Sequence, residues 1–391
     1  MTLSKAEQMD TVAILEKLVS FDTTSRNANV ALVEWIESWL DMHGVSHTRS
    51  HGPEDGKWNL HAILGPQERG GLALSGHMDC VPVEGQEWSR NPFTLTELDG
   101  KLYARGAADM KGFVAAMLAA IPSVKAQTLQ KPLHLFFTFD EEITCNGARY
   151  LIEDVKSRQL MPDMCVIGEP TQLSPVIAHK GRFTIRVDIR GRPAHSSQPA
   201  LGANALHAMG RAISALADMA DEFERNGPYV SGFQPEHTTL QVGLAQGGSI
   251  LNIVPEQASF EVEWRAVPGE NNETIFAGIR HRLAPIDEAL RASGAECGLS
   301  YSALVDLPPL ALDAQSPLVS LLQQITGKNS SGHVSYGTEA GIYQQAGLPT
   351  IVCGPGDIAQ AHKPDEWIER DQLERCDTMI KRLIRQVCLA S

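Results

Sequence analysis

The chain has 391 residues, 43% hydrophobic and 20% charged, a balance that describes a globular protein of about two domains with enough apolar material for a substantial core. Its formal net charge of -14 argues against the basic stripe that a nucleic-acid or anionic-membrane surface requires. Seven cysteines, scattered, odd in number and without a C-x-x-C pair, argue against a disulfide framework or a thiolate metal cluster and point to a reducing cytoplasm.

The first ten residues carry Lys5, Glu7 and Asp10 without the apolar stretch of a secretory leader, and no apolar run approaches membrane-spanning length, so neither export nor a membrane span is expected. Met9, Val12, Leu15, Leu18 and Val19 recur at helical spacing and predict a helix over 6–18, ending at the polar turn 22–27. A second amphipathic helix is expected over 30–40, with Trp35, Trp39 and Leu40 as core anchors. Short strands are expected over 59–64 and 71–75. The second leads into Ser75-Gly76-His77-Met78-Asp79-Cys80-Val81-Pro82. In extended backbone, side chains alternate, so His77 and Asp79 project together while Met78 and Cys80 turn away. That arrangement suits a metal-bound histidine with a carboxylate fixing its tautomer. Taken alone the pair is weak evidence for a metal, because a strand-end His and Asp often only hydrogen-bond each other.

Residues 91–102 read as a surface excursion with Pro92 and an Asp99-Gly100 turn, followed by Arg105-Gly106-Ala107-Ala108-Asp109-Met110-Lys111-Gly112. Asp109 precedes a small-residue helix expected over 113–121. A carboxylate there is favoured by the helix dipole and free amides, and is also suited to a metal. A buried strand expected over 133–139 ends in Asp140-Glu141-Glu142, three acids that repel one another unless water or a cation compensates. Another, over 164–167, ends in Gly168-Glu169-Pro170. In open α/β sheets, sites form at the carboxyl ends of strands, so these groups are expected to converge without proximity in sequence.

After Lys180-Gly181 the pattern changes: a strand over 182–190, a helix over 201–223, strands over 239–244 and 258–264, a helix over 273–292 and a strand over 299–305. This β-α-β-β-α-β order is the ferredoxin-like split βαβ arrangement. Pro308-Pro309 marks the return, followed by a helix over 317–326, a strand over 349–353 and the polar loop 360–367. The expected organisation is an α/β domain over 1–181 and 308–391, interrupted by an α+β domain over 182–307.

His77-x-Asp79, Ala108-Asp109-Met110-Lys111-Gly112, Asp140-Glu141-Glu142, Gly168-Glu169-Pro170 and Ala361-His362-Lys363-Pro364 thus occur in one order. Together they resemble the M20 family of dinuclear zinc hydrolases, a likeness that spans nearly the whole chain. The resemblance implies two Zn²⁺ per subunit, one held by His77, Asp109 and Glu169 and the other by Asp109, Glu142 and His362, with Asp109 bridging. It implies that Asp79 supports His77 and that Glu141 is the general base, moving a proton from the attacking water to the leaving amine. Nitrogen and carboxylate donors suit Zn²⁺ with an open position, and the absence of cysteine ligands suits a catalytic rather than a structural ion. Co²⁺ or Mn²⁺ are the expected substitutes in vitro.

The same resemblance makes the inserted domain a lid and dimerisation module. His195, in Arg190-Gly191-Arg192-Pro193-Ala194-His195-Ser196-Ser197, would stabilise the oxyanion in the partner subunit's site, although alone it reads as a loop histidine. Asn252 and Arg265 would bind the substrate carboxylate, a role that suits the planar arginine fork; a salt bridge fits Arg265 alone equally well. Glu339 fits either a contact to the substrate amine or a cap for a helix starting near Thr338. Lys111 and Lys180 are expected to be solvated or structural, and Cys80 to pack as a small hydrophobe.

Within the family, Pro92-Phe93-Thr94, Ala178-His179-Lys180-Gly181, Tyr336-Gly337-Thr338-Glu339-Ala340 and the 361–366 segment look most like the branch that removes the acetyl group of N2-acetyl-L-ornithine in arginine biosynthesis. The expectation is therefore a cytoplasmic, homodimeric, zinc-dependent N-acyl amino acid deacylase with a small-molecule substrate and no nucleic-acid or membrane partner. The alternatives are a succinyl-diaminopimelate desuccinylase, a broader aminoacylase or carboxypeptidase, and a non-catalytic binder of amino-acid conjugates. Glu141 counts against the last, since a binder needs no base.

Overall fold

The computed structural model of the chain describes residues 9–52 and 56–389. Within them it forms two compact units, one from Met1–Ala178, Ala311–Gly332 and Thr338–Ser391, the other from His179–Leu310 and His333–Gly337. In chain order the elements are α1 (Thr11–Val19), α2 (Val30–Met42), β1 (Ser46–His51), β2 (Trp58–Leu64), β3 (Leu72–His77), β4 (Thr96–Leu98), β5 (Lys101–Tyr103), α3 (Gly112–Lys125), β6 (Leu133–Thr138), α4 (Asn146–Ser157), β7 (Met164–Pro170) and β8 (Val176–His179). The second unit supplies β9 (Arg182–Arg190), α5 (Ala205–Asn226), β10 (Thr239–Gly247), β11 (Gln257–Arg265), α6 (Asn272–Arg291) and β12 (Gly298–Leu307). The chain closes with β13 (Leu310–Ala311), α7 (Pro317–Thr326), β14 (Gly332–Val334), α8 (Ala340–Gln345), β15 (Thr350–Gly354), β16 (Trp367–Glu369) and α9 (Arg370–Ile384).

In the first unit the large sheet runs β1-β2-β6-β3-β7-β15-β8. Strand β3 is parallel to both β6 and β7, and β15 is parallel to β7. Every residue of β3 and β6 is buried, as parallel strands covered on both faces require. Because these strands share a direction, their carboxyl ends share one edge, which is where His77, the 140–142 acids and Glu169 arrive.

Helix α1 starts at Asp10, whose carboxylate accepts the Ala13 amide at 2.8 Å; expected helical residues 6–8 lie outside the described residues. Trp39 is buried and its Nε1 donates to the Leu118 carbonyl at 3.2 Å, so it anchors α2 in the core, and Trp35 packs half-buried against the same cluster. The apolar stretch Ala107–Lys125 is long enough in composition to cross a bilayer, contrary to the expectation from sequence, but it is the core helix of this unit, with 83% of its apolar window buried. The 91–102 excursion contains the β4–β5 hairpin, turned by Asp99 and Gly100 at positive φ, and β5 pairs with β16 just after the His362 loop.

The second unit is an antiparallel sheet in the order β10-β11-β9-β12. Alternating residues of β9 (Phe183, Ile185, Val187, Ile189) are buried against α5 and α6, which is the ferredoxin-like arrangement. Helix α5 begins at Ala205 rather than 201, because Asn204 caps it by accepting the His207 amide and residues Pro199–Leu201 form a separate short turn.

A buried histidine pair links β2 to β6. Arg158 donates to His61 Nδ1 at 2.8 Å, His61 Nε2 lies 3.0 Å from His134 Nδ1, and His134 Nε2 lies 3.1 Å from the Gly70 carbonyl. The guanidinium can only donate, so each ring carries its proton on Nε2 and both are neutral. Burial first, then the charge of Arg158, holds His134 down to about 4, and His61 is likewise pushed well below 6.5. A histidine depressed in the folded state contributes stability that is complete above pH 6.5 and lost as pH falls toward about 4, on the order of 3 kcal/mol for His134. Urea midpoints measured between pH 7 and pH 4 are expected to fall, and His134→Gln to flatten that slope; equal slopes in both proteins would disprove the assignment.

Candidate metal centre

His77 closes β3, and the register Ser75↔Ile167 with β7 places Glu169 level with it two residues further along. Strand β7 approaches α3 so closely that a Cβ at Gly168 would lie 1.9 Å from Phe113, so the residue before Glu169 has to lack a side chain. Asp109 comes from the turn before α3 with non-helical φ and ψ of -120° and 95°, which leaves its carboxylate to the site instead of to a helix cap. Glu141 and Glu142 follow β6 through Asp140, which has φ +56° and turns its own carboxylate to the buried Lys57 ammonium. The first of the three acids is thereby neutralised, and the other two face the site.

His77 Nε2 lies 3.1 Å from Asp109 Oδ1 and 3.9 Å from Glu169 Oε1. His362 Nε2 lies 3.3 Å from Asp109 Oδ2 and 2.9 Å from Glu142 Oε2. One carboxylate, Asp109, thus stands between two imidazoles, each with a second carboxylate beside it. Donor atoms of His77, Asp109 and Glu142, and of His77, Glu141 and Glu169, lie within 4.8 Å of one another. Asp79 does more than face His77. Its backbone carbonyl is the nearer partner of His77 Nδ1, at 3.0 Å against 3.5 Å for its carboxylate. The carboxylate accepts the amides of Glu141 at 3.1 Å and Glu142 at 3.3 Å and the Ser25 hydroxyl at 2.7 Å, so Asp79 holds the acidic turn as well as the histidine.

The electrostatics are those of a crowded anionic pocket. Burial first, then the charges of neighbouring carboxylates, pushes Glu141 and Glu169 well above the usual carboxylate range and Glu142 up to about 7. Burial opposes the ionisation of Asp109 too, but hydrogen bonds from the two histidines outweigh it and keep this carboxyl below its ordinary value. His362 is raised to about 10 by its bonds to Asp109 and Glu142. Burial would lower His77, but Asp109, Asp79 and Glu169 raise it well above 6.5. The buried Glu169 Oε1 has no hydrogen-bond partner, an expensive state that a cation would relieve. Two imidazoles and three carboxylates, one of them carrying this orphaned oxygen, form a donor set that fits divalent metal ions.

Other candidates fall elsewhere. His195, Asn252 and Arg265 belong to the second unit. The isolated bridge His195↔Ile253 and the Ser196 amide, which donates to the Asn252 carbonyl at 3.0 Å, hold the loops of the first two side by side. His195 is exposed, and its Nδ1 accepts the Ser197 amide at 3.2 Å, which leaves Nε2 as its outward donor. Arg265 pairs with Glu263 on its own strand at 3.0 Å. Glu339 does not cap α8; Thr338 Oγ1 accepts the Ala340 amide there, while the Glu339 carboxyl is buried and raised to about 7 by burial. Lys111 and Lys180 are both buried, not solvated: Lys111 donates to the Leu18 and Phe21 carbonyls and Lys180 to that of His237. Cys80 is buried as expected, its thiol pushed up to about 11 by burial. Sequence reasoning missed Ser25, Lys57, Arg105 and a role for Glu366, because each acts on a residue distant in the chain.

The sequence pattern described as Peptidase family M20/M25/M40 matches residues 73–386. An acetylornithine deacetylase from Myxococcus xanthus is 37% identical over 388 residues, covering 96% of this chain and 97% of that protein. One from Proteus mirabilis is 36% identical, covering 94% and 93%. Among solved structures, an M20 family metallo-carboxypeptidase from Sulfolobus solfataricus superposes with a TM-score of 0.75 at 18% identity, covering 96% of this chain and 99% of that one. The Bacillus subtilis YXEP protein, described as a dinuclear metal binding peptidase of the M20 family, superposes at 0.66 with 17% identity, covering 97% and 98%.

Proposed function

Because the chain belongs to peptidase family M20/M25/M40, we propose that it is a metal-dependent amide hydrolase that removes the acetyl group of N2-acetyl-L-ornithine, releasing L-ornithine and acetate. The observation that carries the chemistry is the Asp109 carboxylate standing between His77 and His362, with Glu141 beside His77 and Glu169. The relatives named acetylornithine deacetylase, matched over almost their whole length, support the substrate.

In this reading His77, Asp109 and Glu169 hold one Zn²⁺ and Asp109, Glu142 and His362 the other. When bound, the ions supply Lewis acidity toward the amide carbonyl and toward the attacking water. The protein's own groups do the rest. Glu141 takes the proton of the attacking water on its carboxylate and returns it to the leaving nitrogen, so that the C–N bond breaks with a neutral amine departing. Asp79 keeps Glu141 and Glu142 in place through their amides. Asn252 and Arg265 bind the substrate's α-carboxylate, and His195 donates from Nε2 to the oxyanion, reaching the site of a second subunit.

The homodimer this requires is supported by β10, an edge strand that exposes Leu244, and by the nearby exposed Ile250, Leu251 and Ile253. The cytoplasm suits the seven cysteines, all free and buried. Arginine biosynthesis follows from the substrate.

The test is kcat/KM for N2-acetyl-L-ornithine against N-succinyl-L,L-diaminopimelate with zinc-loaded protein. A preference for the acetyl substrate of about 100-fold or more is expected, because a pocket suited to an acetyl methyl would leave a succinyl carboxylate unpaired. Chelation should abolish turnover and added metal restore it. Preference for the succinyl compound would overturn the substrate, and zinc binding without turnover of any N-acyl amino acid would favour the binder.

A further inference from the structure

Glu366 lies four residues beyond His362 and has no part in the chemistry above, yet it is one of the most enclosed carboxylates in the chain. Its side chain is 1% exposed and so is that of its partner Arg105, whose Nη1 donates to Glu366 Oε2 at 2.7 Å. The other contacts of this carboxylate are backbone amides of the Asp109 turn. Oε1 accepts Ala108 N at 2.9 Å and Asp109 N at 3.1 Å, and Oε2 accepts Gly106 N at 3.1 Å. Gly106 has φ +78°, the left-handed conformation that swings neighbouring amides toward one point, so the turn forms an anion nest filled from within the protein.

The same assembly reaches the His362 loop. Arg105 Nη1 also donates to the Lys363 carbonyl at 3.3 Å, and Arg105 Nη2 to Gln86 Oε1; Gln86 Nε2 in turn donates to the His362 carbonyl at 3.0 Å. A buried ion pair is by itself weak support for stability, because desolvation offsets its attraction. This one connects the backbones of Asp109 and His362, whose side chains are 3.3 Å apart. We propose that Glu366, gripped by Arg105, is a positioning residue that sets the spacing of Asp109 and His362 and so tunes the affinity and ligand field of the ion they share. The inference rests on the dinuclear reading of the site.

Glu366→Gln keeps the volume but turns an acceptor into an NH₂ group facing donors, so at least one amide of the nest or the guanidinium loses its partner. The experiment is a Co²⁺ titration of metal-free protein, followed by visible absorption, with kcat and KM measured at saturating Co²⁺. In wild-type protein two equivalents should bind. In Glu366→Gln the second equivalent is expected to bind about 10- to 100-fold more weakly, with an altered absorption band and a fall in kcat larger than any change in KM. Arg105→Lys, which keeps the charge but loses the fork, should shift the same quantities in the same direction by less. Wild-type affinities and absorption in folded Glu366→Gln would overturn the proposal; if that variant cannot be isolated folded, unaltered Co²⁺ binding in Arg105→Lys would do so. A wild-type protein that takes up one ion at every concentration would fail differently, by removing the dinuclear reading itself.

Discussion

Replacing Glu141 by Gln is expected to lower kcat about 100- to 10,000-fold, the usual contribution of a positioned proton-transfer group, while both metal ions are retained. The substitution keeps the size of the side chain and removes its ability to accept the proton of water. It also removes one charge from a pocket in which burial and the nearby carboxylates of Glu142, Glu339 and Asp109 oppose ionisation, so the folded protein should not lose stability. The position of Glu141 within 4.8 Å of the donors of His77 and Glu169 makes the metal readout decisive. Metal content per subunit, measured beside kcat, separates a base from a ligand. Loss of metal together with activity would make Glu141 a ligand and leave the proton transfer to another group.

Substituting His195 by Ala should cost about 100- to 1,000-fold in kcat if its Nε2 donates to the developing oxyanion. The loss should be repairable in a mixture. In a two-fold dimer that shares its sites, an exchanged hybrid of Glu141→Gln and His195→Ala subunits holds one intact site, with Glu141 from one chain and His195 from the other. Equal mixing of two nearly inactive proteins should therefore recover about a quarter of wild-type activity. No recovery, with subunit exchange demonstrated by mass-tagged chains, would place His195 in its own subunit's chemistry or outside it. The exposed side chain and the Nδ1 already occupied by the Ser197 amide suit a donor that waits for a substrate oxygen.

The candidate donors were legible because metal and proton chemistry restrict the residue types that can serve, and because a parallel sheet delivers strand ends to one edge. His77, Asp109, Glu141, Glu142 and Glu169 stood out by their places at strand and helix ends, whereas their roles, and the choice of His362, came from the resemblance to the M20 family; the structure brings the six together. Strong local patterns also marked element limits: β9 covers 182–190 and α7 covers 317–326, as period and proline placement predicted. Two helices were overlooked although their signal was present. In α9, Leu373, Cys376, Ile380, Leu383 and Ile384 recur at helical spacing beneath a strongly charged face, and α4 buries Leu151, Ile152 and Val155 among polar residues.

Sequence alone determined which side chains have the chemistry to hold a metal or move a proton, since identity and local period are properties of short segments. Tertiary structure decided what each of those side chains touches. It paired Asp140 with Lys57, 83 residues away, and so left only Glu141 and Glu142 of the acidic run to the site. It turned the Asp79 carboxylate to the amides of that run, and buried Lys111 and Lys180 against carbonyl oxygens. It joined Arg105 to Glu366 across 261 residues. Such pairings carry no periodic signal, because a buried charge takes whichever partner the packed chain brings within hydrogen-bond reach, and that partner is set by the whole fold.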